Sequence, residues 1–168
     1  MLSSSAVATC VNPGVAPPSP EIEAAQEIVV LDTRFGAMEL TRSHVVRFPS
    51  GLLGFTSAQE FALVELDNPK YRMFRILQCV TDATLSFIVF PPNPDSGLID
   101  AEDIDAACAA LRFSPKDLVV LLLVTVRKAD TGHQLSVNLR APVMIDSSRF
   151  VGAQYVLSNE RYPVRFPL

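Results

Sequence analysis

The sequence has no tryptophan, two histidines and three cysteines among its 168 residues. The cysteines, Cys10, Cys79 and Cys108, lie far apart and form no C-x-x-C pair, which argues against a disulfide framework and against a zinc site. This cysteine usage favours a reducing, cytoplasmic environment. Nowhere do roughly 18 apolar residues follow one another without a charge, so we predict no transmembrane helix and no membrane association.

Cationic side chains are also few. The chain has 14 Lys and Arg against 18 Asp and Glu, a formal net charge of −4. Affinity for nucleic acid comes mainly from Lys and Arg that neutralise phosphates, so direct binding of RNA or DNA is disfavoured. An acidic surface instead suits a basic partner protein, which could itself be an RNA-binding protein.

Sequence signatures of catalysis are missing as well. No serine lies in a G-x-S-x-G turn, and neither a Walker loop nor a G-x-G-x-x-G motif is present. His44 and His133 are typical of edge or surface histidines, and Cys79 and Cys108 of core thiols. We therefore predict a protein that is not an enzyme and needs no cofactor or metal. A catalytic site assembled from distant residues is the alternative.

The composition divides the chain into two parts. Residues 1–27 hold four prolines, several serines and no aromatic residue, too little apolar surface to offset the entropy of ordering. We predict a disordered tail there. Residues 28–168 have the length and composition of a single domain.

Short β-branched and aromatic runs separated by turn residues dominate residues 28–168. We predict nine or ten strands, among them residues 118–126 as a strand buried on both faces and residues 150–157 as another. One clear helix is predicted over residues 100–111 from its apolar 3-4-3 spacing, and a single helical turn over residues 56–60. The predicted fold class is mainly β: a small barrel-like or strongly bent antiparallel sheet with the helix covering one opening.

The most distinctive segment is R-F-P-S-G-L-L-G-F at residues 47–55. It carries no catalytic side chain, but its glycines permit positive φ and its proline ends a strand, so it predicts a shaped piece of backbone suited to binding. Leu52 or Leu53 is a candidate for an exposed partner contact. The residues that define the shape are Phe48, Pro49, Gly51, Gly54 and Phe55.

Several polar residues are candidates for a role. An acidic cluster lacks the spacing of a calcium loop, and it is either a solvated helix N-terminus or a docking surface for a basic protein. Its members are Asp95, Asp100, Glu102, Asp103 and Asp105. Gln78 and Asn138 lie within apolar strands and are expected to bond buried backbone groups, and a contact with a partner is the alternative. Pro142 is expected to separate two strands.

Several motifs occur in order along the chain: D-T-R-F-G at residues 32–36, the segment at residues 47–55, Leu77-Gln78, and N-L-R-A-P at residues 138–142, followed by Gln154 and Tyr162. Together they resemble the FliW family of flagellar assembly factors. Three features differ from the family pattern. Cys79 stands where the family usually has serine, the proline-rich residues 91–95 replace a tyrosine-containing acidic segment, and residues 1–27 are an extra tail.

The resemblance implies a bacterial protein that binds the translational regulator CsrA, a basic RNA-binding dimer, and relieves its repression of flagellin mRNA. It also implies that newly made flagellin binds the same protein, displaces it from CsrA and restores repression. A flagellin-directed chaperone that does not antagonise CsrA is the alternative. We expect the protein to be monomeric on its own.

Overall fold

Seven β-strands close into a barrel. The computed structural model describes residues 28–33, 36–66, 68–130 and 132–168. Its strands are β1 (Ile28–Thr33), β2 (Gly36–Thr41), β3 (Val45–Arg47), β4 (Glu60–Glu65), β5 (Arg75–Cys79), β6 (Ser86–Phe90), β7 (Leu118–Ala129), β8 (Gly132–Val137), β9 (Val143–Asp146), β10 (Val151–Gln154) and β11 (Phe166–Pro167). The barrel strands pair in the order β7-β6-β5-β4-β3-β10-β9, and β9 pairs with β7 to complete the ring.

The long strand β7 makes this closure possible. Its first part pairs with β9, its middle with β6 and its last part with β8, which in turn pairs with the short β11. All these pairings are antiparallel. The barrel has one parallel contact, between β3 and β10, where Val151 lies opposite Arg47.

The barrel interior is apolar because alternate strand positions point inward. Phe48 and Phe61 are fully buried and pack edge to face, with ring centroids 5.4 Å apart. Cys79 is buried in the same cluster, which agrees with its prediction as a core thiol. Other members of the cluster are Val46, Leu52, Leu77, Val89, Leu121, Val143 and Ile145.

A single α-helix among the described residues, α1 (Ala101–Leu111), covers a second apolar cluster. Asp100 precedes it in extended conformation, and Arg112 ends it with a φ of 56°. Of the four residues at the predicted 3-4-3 spacing, Ala107 and Cys108 are buried and Ile104 and Leu111 are half-buried. Single-turn 3₁₀ helices span Arg42–His44, Pro69–Tyr71, Pro94–Ser96 and Pro115–Asp117.

The hairpin of β1 and β2 forms a separate two-stranded sheet. Met38 and Leu40 on β2 pack against Ala62 and Ile76 of the barrel. The tail predicted at residues 1–27 lies outside the described residues. So do Arg34 and Phe35 of the Arg34-Phe35-Gly36 segment, whose sequence predicts a bulge or a turn.

The mainly β fold with one helix is confirmed, and three local predictions are corrected. Residues 56 and 57 form a turn that the Ala58 N–H closes by donating to the Phe55 carbonyl at 3.2 Å, and residues 58 and 59 are irregular. The strand predicted over residues 150–157 ends at Gln154. Along β7 only Leu121 and Leu122 are fully buried, because the second half of the strand leaves the barrel to pair with β8.

Candidate protein-binding surfaces

The turn between β3 and β4 has a fixed shape. Gly51 and Gly54 adopt φ values of 64° and 85°, the left-handed region predicted from the sequence. The Gly51 N–H donates to the Phe48 carbonyl at 2.9 Å, and the Phe55 N–H donates to the Leu52 carbonyl at 2.8 Å. These two bonds close consecutive tight turns, and the turns fix the directions of the side chains between them.

The two leucines of this turn face opposite ways. Leu52 is 1% exposed and belongs to the barrel core, so it is unavailable to a partner. Leu53 is 54% exposed and is therefore the leucine that remains a candidate contact. Phe55 is 42% exposed and packs edge to face on Phe87 at 5.1 Å between centroids, so it is an anchor with one accessible side.

Gln154 ties this turn to the turn after β8. Its Oε1 accepts from the Leu53 N–H at 3.0 Å, and its Nε2 donates to the Ala141 carbonyl at 3.1 Å. The Ala141 N–H in turn donates to Oδ1 of Asn138 at 3.0 Å. Asn138 thus bonds the backbone, as predicted, but from the turn that follows β8, and Pro142 lies between that turn and β9.

An open groove of about 400 Å³ lies beside Leu53. Its walls are the β3–β4 turn, strand β10 and the residues at the end of α1, including Leu111 and Phe113. Gly152 on β10 is required there, because a Cβ would lie 2.4 Å from the buried Phe48 ring. The groove therefore has a preformed apolar wall on three sides.

Arg149 packs on Phe113, one of the residues that line the groove. Its guanidinium lies over the Phe113 ring at 5.5 Å and donates to the Arg112 carbonyl at 3.1 Å, which satisfies a carbonyl at the end of α1. The buried Asp146 carboxylate holds it through a 2.9 Å contact with Nε. Asp146 also accepts from the Ser148 hydroxyl at 2.7 Å.

These bonds set the charge state of Asp146. The Ser148 hydroxyl lowers the pKa of the Asp146 carboxyl below its ordinary value; burial opposes the shift, and the Arg149 N–H and guanidinium add to it. The ionised carboxylate therefore stabilises the fold at pH above the unfolded-state pKa of about 3.9. That contribution is lost as the pH falls through the lower pKa of the folded state.

Replacing Asp146 by asparagine is expected to lower the melting temperature at pH 7, since the charge that holds Arg149 is removed. The difference from wild type is expected to shrink as the pH falls below about 4, where the wild-type carboxyl also becomes protonated. Thermal unfolding followed by circular dichroism between about pH 7 and pH 2 measures both effects. A difference that stays constant with pH would contradict the assigned role.

The acidic cluster at α1 separates into bound and free side chains. The hydroxyl of the buried Tyr162 donates to Oδ2 of Asp103 at 2.5 Å and accepts from the Asp100 N–H at 3.0 Å. Arg161 forms ion pairs with Asp100 and Asp103. Burial, reinforced by the Asp103 hydrogen bond, raises the pKa of Tyr162. These two carboxylates therefore hold the chain terminus against the helix.

The other acidic residues face solvent. Glu102 and Asp105 are exposed on the first turns of α1, and Asp95 is exposed in the preceding 3₁₀ helix. Within the described part of the chain their carboxylates have no ion-pair partner. They are the members of the cluster best placed to meet a partner.

Sequence reasoning did not identify the arginines. Arg149 and Arg161 act on residues of α1 from distant positions, and no local pattern indicates such contacts.

No helix in the described ranges is long and apolar enough to cross a membrane. In those ranges no group of three or more His, Cys, Asp or Glu side chains is arranged to hold a metal ion.

Comparison with known proteins identifies the family. The sequence model of the FliW protein family matches residues 29–168. The flagellar assembly factor FliW of Desulfitobacterium hafniense is 31% identical over 139 residues, covering 81% of this chain and 88% of that protein. The flagellar assembly factor FliW of Geotalea uraniireducens is 32% identical over 139 residues, covering 82% of each chain.

The fold comparison agrees with the sequence comparison. A crystal structure of the flagellar assembly factor FliW superposes with a TM-score of 0.65 at 26% sequence identity, over 84% of this chain and 96% of that one. The matched region contains the barrel, α1 and both surfaces described above. The chain therefore belongs to the FliW family.

Proposed function

We propose that this protein is a non-catalytic regulator of flagellum assembly that sequesters the translational regulator CsrA and binds flagellin, and thereby controls flagellin translation. Family membership supports the role in flagellum assembly, since the relatives are named flagellar assembly factors. The observation that carries CsrA binding is the exposed acidic face of α1, formed by Glu102 and Asp105, which suits a basic protein.

Regulation then follows from competition. While flagellin is scarce, the protein holds CsrA and flagellin mRNA is translated. Free flagellin displaces CsrA, and repression returns. A second candidate is a flagellin-directed chaperone that does not bind CsrA. The exposed apolar side chains of Leu53 and Phe55 favour it, because they can pack against apolar groups that an unassembled protein exposes.

Isothermal titration calorimetry of the full-length protein against CsrA, and separately against monomeric flagellin, tests the proposal. Binding to CsrA that flagellin competes away would support the partner switch. Binding to flagellin alone would favour the chaperone. Binding to neither would reject both.

Charge reversal of Glu102 and Asp105 to lysine is expected to weaken CsrA binding about tenfold or more at low salt and less at high salt, because exposed charges are screened. Neither carboxylate bonds a residue of the described chain, so the fold should persist; the helix does lose the favourable charge of Glu102 in its first turn, and thermal unfolding measures that loss. Charge reversal of Asp32 and Glu39 on the β1–β2 hairpin gives the same change in net charge and is the matched control. An unchanged dissociation constant at low salt would exclude the α1 face.

A further inference from the structure

We propose that the cleft between α1 and the proline-rich segment before it binds a basic amphipathic segment of a protein partner, in which a large apolar side chain lies next to a lysine or arginine. The inference rests on the proposed function and identifies what its basic partner, CsrA, inserts beside the acidic face of α1. Recognition then has an apolar component as well as a charged one.

The apolar component comes from the walls of the cleft. Its volume is about 300 Å³, at the lower end of the range for protein ligand sites. Five aliphatic residues of its lining come from around the start of α1 and from the start of β7: Leu98, Ile99, Ile104, Leu118 and Val120. All five are half-buried, so the fold leaves apolar surface that a partner can remove from water. A single large aliphatic or aromatic side chain suits this space.

The cleft is also preorganised, which lowers the entropy lost on binding. Its lining includes three prolines, whose rings fix their own φ: Pro92, Pro94 and Pro115. On the proline-rich wall, Asn93 accepts from the Asp95 N–H at 3.0 Å through Oδ1 and from the Ser96 N–H at 2.9 Å through its carbonyl. Near Pro115, the Asp117 carbonyl accepts from the Ser147 N–H at 2.9 Å, which ties this wall to the turn after β9.

The charge preference comes from Asp105. Among the described residues that line the cleft it alone is charged, and no described side chain pairs with its carboxylate. A purely apolar partner would cover this carboxylate without replacing its water, which is costly, whereas a lysine or arginine would pair with it. Asp95 and Glu102 follow lining residues in the sequence and are exposed, while one exposed cation, Lys116, follows another. Three carboxylates against one ammonium favour a basic segment.

The two components respond differently to salt. Screening weakens the attraction between exposed charges, but it does not act on the burial of apolar surface. CsrA binding is therefore expected to fall with added sodium chloride to a residual affinity that the cleft supplies. Burial of apolar surface should also give the binding reaction a negative change in heat capacity.

The apolar component is tested by filling the cleft. Ala101→Phe and Ser96→Phe each place a ring at an exposed lining position, one on α1 and one on the proline-rich wall. Ala110→Phe makes the same change at an exposed position of α1 outside the lining and is the matched control. Thermal unfolding checks that each variant is folded, and CsrA is then titrated by calorimetry at low and at high sodium chloride concentration.

The charged component is tested by Asp105→Asn, which keeps the shape of the side chain. Asp130→Asn, at an exposed position of the β7–β8 turn, gives the same change in net charge and is its control. We expect Asp105→Asn to weaken CsrA binding about threefold at low salt and less at high salt. An effect no larger than that of Asp130→Asn would overturn the pairing of Asp105 with a cation of the partner.

Both cleft-filling variants are expected to weaken CsrA binding about tenfold or more at both salt concentrations, the factor for losing the burial of one large apolar side chain. Ala110→Phe should bind like the wild type. If the wild type binds CsrA and the cleft-filling variants bind it like Ala110→Phe, the inference is overturned and the proposed function stands. If the wild type binds no CsrA, the proposed function fails and the inference fails with it.

Discussion

Replacing Gly51 by alanine is expected to lower the free energy of unfolding by about 2–5 kcal/mol. The φ of 64° costs a residue with a Cβ about 1–2 kcal/mol. In addition, the new Cβ would lie 2.4 Å from the Phe55 carbonyl oxygen and 2.7 Å from the Thr56 Cα, both backbone atoms that cannot rotate away. Overpacking of this kind typically adds about 1–3 kcal/mol.

Gly54→Ala in the same turn separates these two costs. Gly54 also has a positive φ, of 85°, but a Cβ there would meet no atom within 4 Å. We expect Gly54→Ala to lower the free energy of unfolding by the strain component alone, about 1–2 kcal/mol. Urea unfolding followed by circular dichroism gives both values. Equal losses in the two variants would show that the close approach to Phe55 contributes nothing.

The Gly51 variant also carries a functional consequence. If the turn relaxes to admit the Cβ, Leu53 moves and its hydrogen bond to Gln154 is strained. Binding of flagellin is then expected to weaken under conditions where the variant is still folded. CsrA binding should follow only the folded fraction, because the acidic face of α1 lies elsewhere.

Features that depend on neighbouring residues were predictable from the sequence. The positive φ of Gly51 and Gly54 follows from their position around a turn, and the buried stripe of α1 follows from helical spacing. The barrel-like sheet was also expected, because many short strands must hide their edges. What could not be predicted was closure through β7, which depends on pairing between strands distant in sequence.

The site was predicted less completely than the fold, for the same reason. The sequence offered Leu52 and Leu53 together, and only the packed structure shows that one is core and the other exposed. It grouped five acidic residues, yet two of them, Asp100 and Asp103, are bonded by Arg161 and Tyr162, about 60 positions away. Surfaces are defined by what the rest of the chain leaves uncovered, so local pattern is a poor guide to them.

Gln78 offers the second large effect, since its side chain is fully buried in β5, opposite the buried Ser86 of β6. Its Nε2 lies 3.0–3.3 Å from the carbonyls of Cys79, Asp82, Ala83 and Leu85. The amide thus holds the loop between β5 and β6 in place, as the sequence predicted for a polar residue in an apolar strand.

Gln78→Leu keeps the volume of the side chain and removes this donor. The Asp82 carbonyl belongs to an exposed residue and keeps the Leu85 N–H as a donor, so the loss falls mainly on the carbonyl of the half-buried Ala83, at about 1–3 kcal/mol for an unsatisfied group. Part of this cost is offset, because the Oε1 of Gln78 has no hydrogen-bond partner among the described residues, and the substitution removes this atom as well. We expect a net loss of about 1–2 kcal/mol in the free energy of unfolding.

Gln59→Leu is the matched control for this substitution. Gln59 also donates through Nε2 to a backbone carbonyl, that of Pro49 at 2.9 Å, but it is exposed, so water can replace the bond. The free energy of unfolding of the Gln59 variant should fall by about 0.5 kcal/mol or less. Hydrogen exchange at the Leu85 amide, which donates to the Asp82 carbonyl at 3.1 Å, should quicken in the Gln78 variant alone. If the two variants unfold at the same urea concentration, the Gln78 amide does not hold this loop, and its burial must be explained by packing.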